Sequence, residues 1–192
     1  MIKTNLPVIL ASGSPRRKKL LQQINLNFKV LRVDADESIK RGEKPVHIVR
    51  RLSIGKLEKA KETGAKGIII TADTIVVLKG KVIGKPRDIK DAEKILKALS
   101  GKTHIVYTGF SVYNSFNGKI ITDYEKTLVT FRKLGGNEIK EYIKGGSPMD
   151  KAGAYGIQDD YGAVFIKKIN GCYYNVVGLP LTKLYQSLLR IL

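Results

Sequence analysis

Apolar residues along this chain recur in two rhythms, and together they predict an alternation of strands and helices. Unbroken apolar runs of strand length mark Val8–Ala11 and a segment near Phe28–Leu31. Leu20, Leu21 and Ile24 have the spacing of one helical face, predicting a helix over Pro15–Ile24. Pro45 opens a longer helix to about Thr63, on which Val46, Val49, Leu52, Lys56 and Leu57 recur at helical spacing. Ile68–Ala72 is a continuous apolar run ending at Asp73. Thr74–Leu78 and Val82–Ile83 then flank Lys79-Gly80-Lys81, a hairpin signal. Asp88 caps a helix that runs to Leu99, where Ser100-Gly101 stops it. Thr103–Tyr113 and Lys119–Phe131 read as a second hairpin around Asn114–Gly118, and Asn137–Lys144 as a short helix. After a glycine-rich stretch, Gly145–Gly162, a third hairpin is expected from Val164–Ile169 and Tyr173–Val177 across Asn170-Gly171, with Leu181–Leu192 as a closing helix. Hairpins mixed with helices imply an α/β protein with a mixed sheet.

Composition narrows the class. A chain of 192 residues fits a single domain over 1–192, and 43% apolar content with nine tyrosines argues against disorder. The N-terminus has neither the charge pattern of a signal peptide nor an apolar run of membrane-spanning length, so no membrane partner is expected. Cys172 is the lone cysteine, which excludes an internal disulfide, fits a cytoplasmic location and reads as a core residue. A net charge of +18 attracts polyanions, nucleic acid included. Its lysines are nevertheless scattered through the helices, as on a solvated face, with no nucleic-acid recognition signature beside them, so nonspecific nucleic-acid binding is not favoured.

Five segments carry candidate chemistry. In Ala11-Ser12-Gly13-Ser14-Pro15-Arg16-Arg17, Ser14 sits at a helix N-cap and Pro15 at the first helical position. Arg16 and Arg17 then oppose the preference for acids in a first turn, an arrangement that makes sense if a phosphate arrives at backbone donors, hydroxyls and guanidinium forks. Asp73, at the end of a buried run, is costly as an unpaired carboxylate and therefore pairs with a cation, holds a metal or acts as a base. The cluster Asp34-Ala35-Asp36-Glu37 suits a hard divalent cation or a solvated loop. Gly84-Lys85-Pro86-Arg87 fixes a tight basic loop, and Asp150–Gln158 lets a flat ligand approach small residues, with Gln158 offering a donor and an acceptor to a base edge. Lys56, taken alone on a helix, reads as solvent-facing. His47 and His104 stand without a ligand partner and read as structural.

The segment from Ala11 to Arg17 with Leu20-Leu21 resembles the signature of the Maf family of nucleoside triphosphate pyrophosphatases. Four further blocks resemble that family in order: Ala72–Val76, Gly84–Asp88, Leu99–His104 and Asp150–Gln158. Val177–Leu181 matches its usual ending. The resemblance implies a mixed twisted sheet with flanking helices and two lobes around a cleft, similar to the inosine triphosphate pyrophosphatases. It implies hydrolysis between the α- and β-phosphates to a nucleoside monophosphate and pyrophosphate, with Mg²⁺ or Mn²⁺ as cofactor, and a homodimer. The stretch Ala154–Gln158 and Lys85-Pro86-Arg87 look like the branch acting on dTTP and UTP; the same reaction on 7-methyl-GTP, CTP or a broad range is the alternative. By resemblance, Asp73 is the proton acceptor, and Glu37 with Asp73 holds the metal. Ser12, Ser14, Arg16, Arg17, Lys56 and Lys85 hold the triphosphate, while Arg16, Thr74 and Gln158 set substrate choice. The surroundings of Lys56, Ser53-Ile54-Gly55, depart from the family's usual charged or Ala-rich run. A second class, nucleic-acid binding or cell-division regulation, is raised by the charge and by the family's name, given for an effect on septum formation.

Overall fold

The computed structural model describes residue 2, residues 4–158 and residues 161–192, with Ser147 described by its backbone alone. The sheet runs in the order β2-β1-β3-β5-β6-β7, and β4 pairs with β3. Its strands are β1 (Val8–Ala11), β2 (Lys29–Leu31), β3 (Ile68–Leu78), β4 (Lys81–Ile83), β5 (Thr103–Asn114), β6 (Ile120–Phe131) and β7 (Ile166–Asn170). The helices are α1 (Pro15–Gln23), α2 (Pro45–Glu62), α3 (Ile89–Leu99), α4 (Gly136–Lys144), α5 (Tyr173–Val177) and α6 (Leu181–Ile191). The sheet is mixed, as the alternation of hairpins and helices predicts: β1 runs parallel to both β2 and β3, whereas β4 and β7 are antiparallel to their partners.

Two compact units form from the chain. Unit 1 comprises Met1–Asp73, Thr108–Glu125 and Gly178–Leu192; unit 2 comprises Thr74–Tyr107 and Lys126–Val177.

Unit 1 begins β1-α1-β2-α2-β3. Because β2 and β3 lie on opposite sides of β1, the chain reverses direction across the sheet at the C-terminal end of β1. With right-handed crossovers, α1 and α2 then cover opposite faces, and the end of β1 is the switch point where α/β sheets take their ligands. The register Ile9↔Ile69 puts these residues on the face that packs with Ala11 against Leu57 and Ala60 of α2. By the two-residue period of a strand, Thr71 and Asp73 share that face. α2 lies so close to β5 that a methyl group at Gly109 would overlap the Val49 carbonyl and stand 2.9 Å from the Arg50 amide nitrogen.

Unit 2 packs α3 and α4 on the second half of the sheet. Ala92, Leu96 and Leu99 meet Ile139, Tyr142, Ile143, Val106, Val129 and Phe131 in one core. The β3–β4 hairpin turns through Lys79 (φ 48°) and Gly80 (φ 77°), the two positive angles a type I′ turn needs. Asp88 caps α3 as expected, its carboxylate accepting from the Asp91 amide at 2.7 Å.

The third hairpin is not formed. β7 pairs with β6, and Tyr173–Val177 is a helix, despite two β-branched valines. Tertiary contacts override their strand propensity. Thr127 Oγ1 donates to the Cys172 carbonyl and accepts from its amide, both at 3.1 Å, which clips the chain just after β7. The helical turn then buries Asn175, whose amide donates to Val106 O at 3.1 Å and Thr127 Oγ1 at 2.8 Å. Cys172 is half-buried, at this clip rather than in the core.

His104 is fully buried on β5, whereas His47 is exposed on α2. Burial holds the His104 imidazole neutral by lowering its pKa from 6.5 to about 4. The unfolded chain takes up that proton near pH 6.5 and the folded chain only near pH 4. The stability tied to this group is thus complete above pH 6.5, falls as the pH drops towards 4, and is lost by about 3 kcal/mol in total. Urea midpoints measured across that window should decline for the wild type, and His104→Phe should remove this share of the decline.

Candidate active site

The C-terminal end of β1 delivers Ser12, Gly13 and Ser14 to the switch point of unit 1. Ser14 caps α1, its hydroxyl oxygen accepting from the Arg17 amide at 3.5 Å, and Pro15 follows in the first helical turn. Ser12 Oγ accepts from the Ser14 amide at 3.3 Å and from Arg17 Nη1 at 3.1 Å. Each serine keeps its own hydroxyl proton as a donor, and the space above Gly13 is open. Arg17, in contrast to half-buried Arg16, is buried. Its Nε donates to Gly178 O at 2.8 Å. Burial lowers its pKa, and the negative charges of Asp73 and Glu37 counter that shift, whereas Arg16 adds to it. One guanidinium therefore ties the Ser12 loop to the block before α6 and projects its charge onto two carboxylates.

Those carboxylates meet on Lys56. Its ammonium donates to Asp73 Oδ1 at 2.5 Å and lies 2.7 Å from Glu37 Oε1. The Lys56 side chain is 11% exposed, so the solvent-facing reading of this lysine is overturned. The physical reason is its place in the inward stripe of α2, among buried Leu52, Ser53, Leu57 and Ala60. The stripe faces the odd-numbered residues of β3. Ser53 O accepts from Thr71 Oγ1 at 2.7 Å, and three residues on along the helix, where the strand has advanced by two, Lys56 meets Asp73. Of the outcomes open to Asp73, pairing with a cation is the one observed.

The acidic segment is divided in its roles. Asp36 accepts from the Ser38 amide and hydroxyl, each at 2.8 Å, and so shapes its own loop. Arg51 of α2 holds the loop with paired donors to Glu43 at 2.8 and 2.7 Å and another to Ser38 O at 2.9 Å. The result turns Glu37 towards Lys56. Reading the sequence did not find Arg51, Glu43 or the Gly178 carbonyl, since each acts through a partner far along the chain or through main-chain atoms.

The remaining candidate residues lie in unit 2. Lys85 is exposed beside buried Pro86, while Arg87 is engaged with Asp91, its amide donating at 3.1 Å. Gly153 donates its amide to Gly84 O at 3.1 Å, which joins the Lys85 loop to the stretch carrying Gln158. Gln158 is half-buried, and its Oε1 accepts from the Ile157 amide at 3.3 Å. Thr74 is half-buried on β3, on the same face as Val76, which packs against Gly153.

Over residues 7–191 the chain matches the family model described as Maf-like protein. The chain belongs to the Maf family. A dTTP/UTP pyrophosphatase of Bacillus cytotoxicus is 46% identical to this Maf protein over 180 residues, covering 94% of this chain and 93% of the relative. One from Dictyoglomus thermophilum is 45% identical over 186 residues, covering 96% and 95%. Among solved structures, a HAM1 protein from Coxiella burnetii matches the Maf chain with a TM-score of 0.50 at 15% identity, over 97% of this chain and 98% of that one. That likeness concerns the fold alone, and it agrees with a mixed sheet flanked by helices. Among the described residues of the Maf chain, no helix is long and apolar enough to cross a membrane.

Proposed function

We propose that this protein hydrolyses dTTP and UTP, and modified pyrimidine nucleoside triphosphates, to the monophosphate and pyrophosphate with a divalent cation. The observation that carries the reading is the meeting of Asp73 of β3 and Glu37 of the β2–α2 loop on Lys56 of α2, within the electrostatic reach of Arg17 and its phosphate-suited loop. Membership of the Maf family and the names of its relatives support the reaction and the bases.

The donor set fits Mg²⁺ or Mn²⁺. Glu37 and Asp73 offer hard oxygens that already converge on a single cationic atom, the Lys56 nitrogen. Among the described residues no cluster of three or more acidic, histidine or cysteine side chains gathers as a metal cage. That suits a cation whose other ligands are waters and substrate phosphates. Bound there, it would act as a Lewis acid on phosphoryl oxygens.

Asp73 accepts a proton from the attacking water as its oxygen bonds to the α-phosphorus; the bond from that phosphorus to the α–β bridging oxygen breaks, and the oxygen leaves with pyrophosphate, giving the monophosphate. Arg16 and the Ser12 and Ser14 hydroxyls, at the start of α1, hold the triphosphate. Arg17 commits two donors to the fold, so it adds charge and orders Ser12. Lys56 balances the two carboxylates and offsets charge on the leaving group. By family resemblance, Lys85 contributes to phosphate binding, and Thr74 and Gln158 to the choice of base.

A panel of dTTP, UTP, CTP, 7-methyl-GTP and purine triphosphates with Mg²⁺ or Mn²⁺, with products identified, tests the reading. Pyrophosphate release fastest from dTTP and UTP, and none with the cation chelated, is the expected result. Orthophosphate as the sole phosphate product overturns it. Highest kcat/KM on 7-methyl-GTP or CTP would move the substrate while leaving the reaction.

A further inference from the structure

The bond between Gly153 and Gly84, which joins two candidate substrate loops of unit 2, is made from a backbone that most residues avoid. Gly153 has φ 75° and Ala154 has φ 61°, two consecutive left-handed residues of which the second carries a Cβ and is fully buried. Such a turn persists only where its surroundings over-determine it. Val76 and the Tyr155 ring close round one point of it, 3.0 and 3.3 Å from where a Gly153 Cβ would lie.

Tyr155 is itself pinned. Its ring meets Phe131 edge to face at 4.7 Å between centroids, and its hydroxyl shares a hydrogen bond of 2.8 Å with His104 Nε2. The other imidazole nitrogen, Nδ1, is buried with no hydrogen-bond partner among the described residues. For stability alone a phenylalanine would fill this aromatic site without leaving a polar atom unsatisfied. Among the described residues, the hydrogen-bond partner of the His104 ring is the Tyr155 hydroxyl.

We propose that His104 and Tyr155 form a clamp on the Gly153–Ala154 turn and are thereby positioning residues for nucleobase selection by Gln158. This rests on the reading of Gln158 as a base-selecting residue. Residues 153–157 are buried in one run and end at half-buried Gln158, whose amide folds back on the Ile157 N–H. Its direction is therefore set by the backbone the clamp fixes. The Gly153–Gly84 bond carries the same constraint to the loop of Lys85.

The test uses the full chain and three variants. His104→Phe fills the site and deletes the bond; His104→Gln keeps a nitrogen near the Nε2 position; Tyr155→Phe removes the hydroxyl from the other side and serves if His104→Phe does not fold. Amide hydrogen exchange at Gly153 should accelerate at least about tenfold in His104→Phe and Tyr155→Phe, with Leu96 of α3 unchanged and His104→Gln close to wild type. KM for dTTP should rise about tenfold with a smaller change in kcat, and preference for dTTP over CTP should fall. Unchanged exchange at Gly153, or equal acceleration at Leu96, overturns the clamp. Faster exchange at Gly153 with base preference intact overturns the positioning role. Wild-type protein that releases no pyrophosphate would remove the reading of Gln158, while exchange at Gly153 would still decide the clamp.

Discussion

Asp73→Asn should reduce pyrophosphate release by about 10³-fold, the scale of losing a positioned general base. The amide matches the carboxylate in volume and can still accept from the Lys56 ammonium, but it cannot take a proton from water. Folding should survive. Lys56 retains Glu37 as a partner at 2.7 Å, so the substitution does not strand a half-buried ammonium among apolar neighbours. The thermal midpoint should therefore stay within the shift expected of about 1 kcal/mol. Turnover above a tenth of the wild-type rate would remove Asp73 from the proton-accepting role, and a collapse of the midpoint would show the residue to be chiefly a structural ion-pair partner. Measuring both on the same preparation separates the outcomes.

The second large effect is expected at a residue with no side chain. Gly109→Ala should destabilise the protein by about 3 kcal/mol or more, since the added methyl meets main chain and neither side can yield as a side chain would. The Val49 carbonyl and Arg50 amide it would strike belong to α2, the helix that also presents Arg51, Ser53 and Lys56. Pushing α2 off β5 also strains the hydroxyl chain in which Ser53 bonds Ser111 at 3.0 Å and Ser111 bonds Thr122 at 2.9 Å. Any folded fraction should then turn over more slowly, through displacement of Lys56 from Asp73. Denaturant unfolding followed with activity would register both effects, and an unchanged urea midpoint would show that α2 can move away at little cost.

What the sequence made readable, and what it hid, divides by the distance over which the cause acts. The Ser14-Pro15 start of α1, the Pro45 start of α2, the Lys79-Gly80 turn and the Asp88 cap are local chemistry, and all appear at the expected places. Tyr173–Val177 is a helix where its sequence predicts a strand, because Thr127 and Val106, contributed by other strands, decide its conformation. Asp73 announced itself as a carboxylate ending an apolar run, though its partner did not. Lys56 had the helical spacing of a core position, and a charged side chain at such a position was the available sign that it faces inward. The orientation of Glu37 had no such sign, since it depends on Arg51 gripping Glu43 and Ser38 across the loop.

The bond from Arg17 to the Gly178 carbonyl spans 161 residues. During synthesis the guanidinium must wait for 161 further residues before its acceptor exists. α6 follows that acceptor, and the Ile191 carbonyl near its end accepts from the side-chain amides of Asn114 and Asn117 at 3.0 and 3.3 Å. A nascent chain that stops short of Gly178 thus carries the signature loop without its anchor, and nucleotide turnover should begin only after Gly178 and α6 have been made.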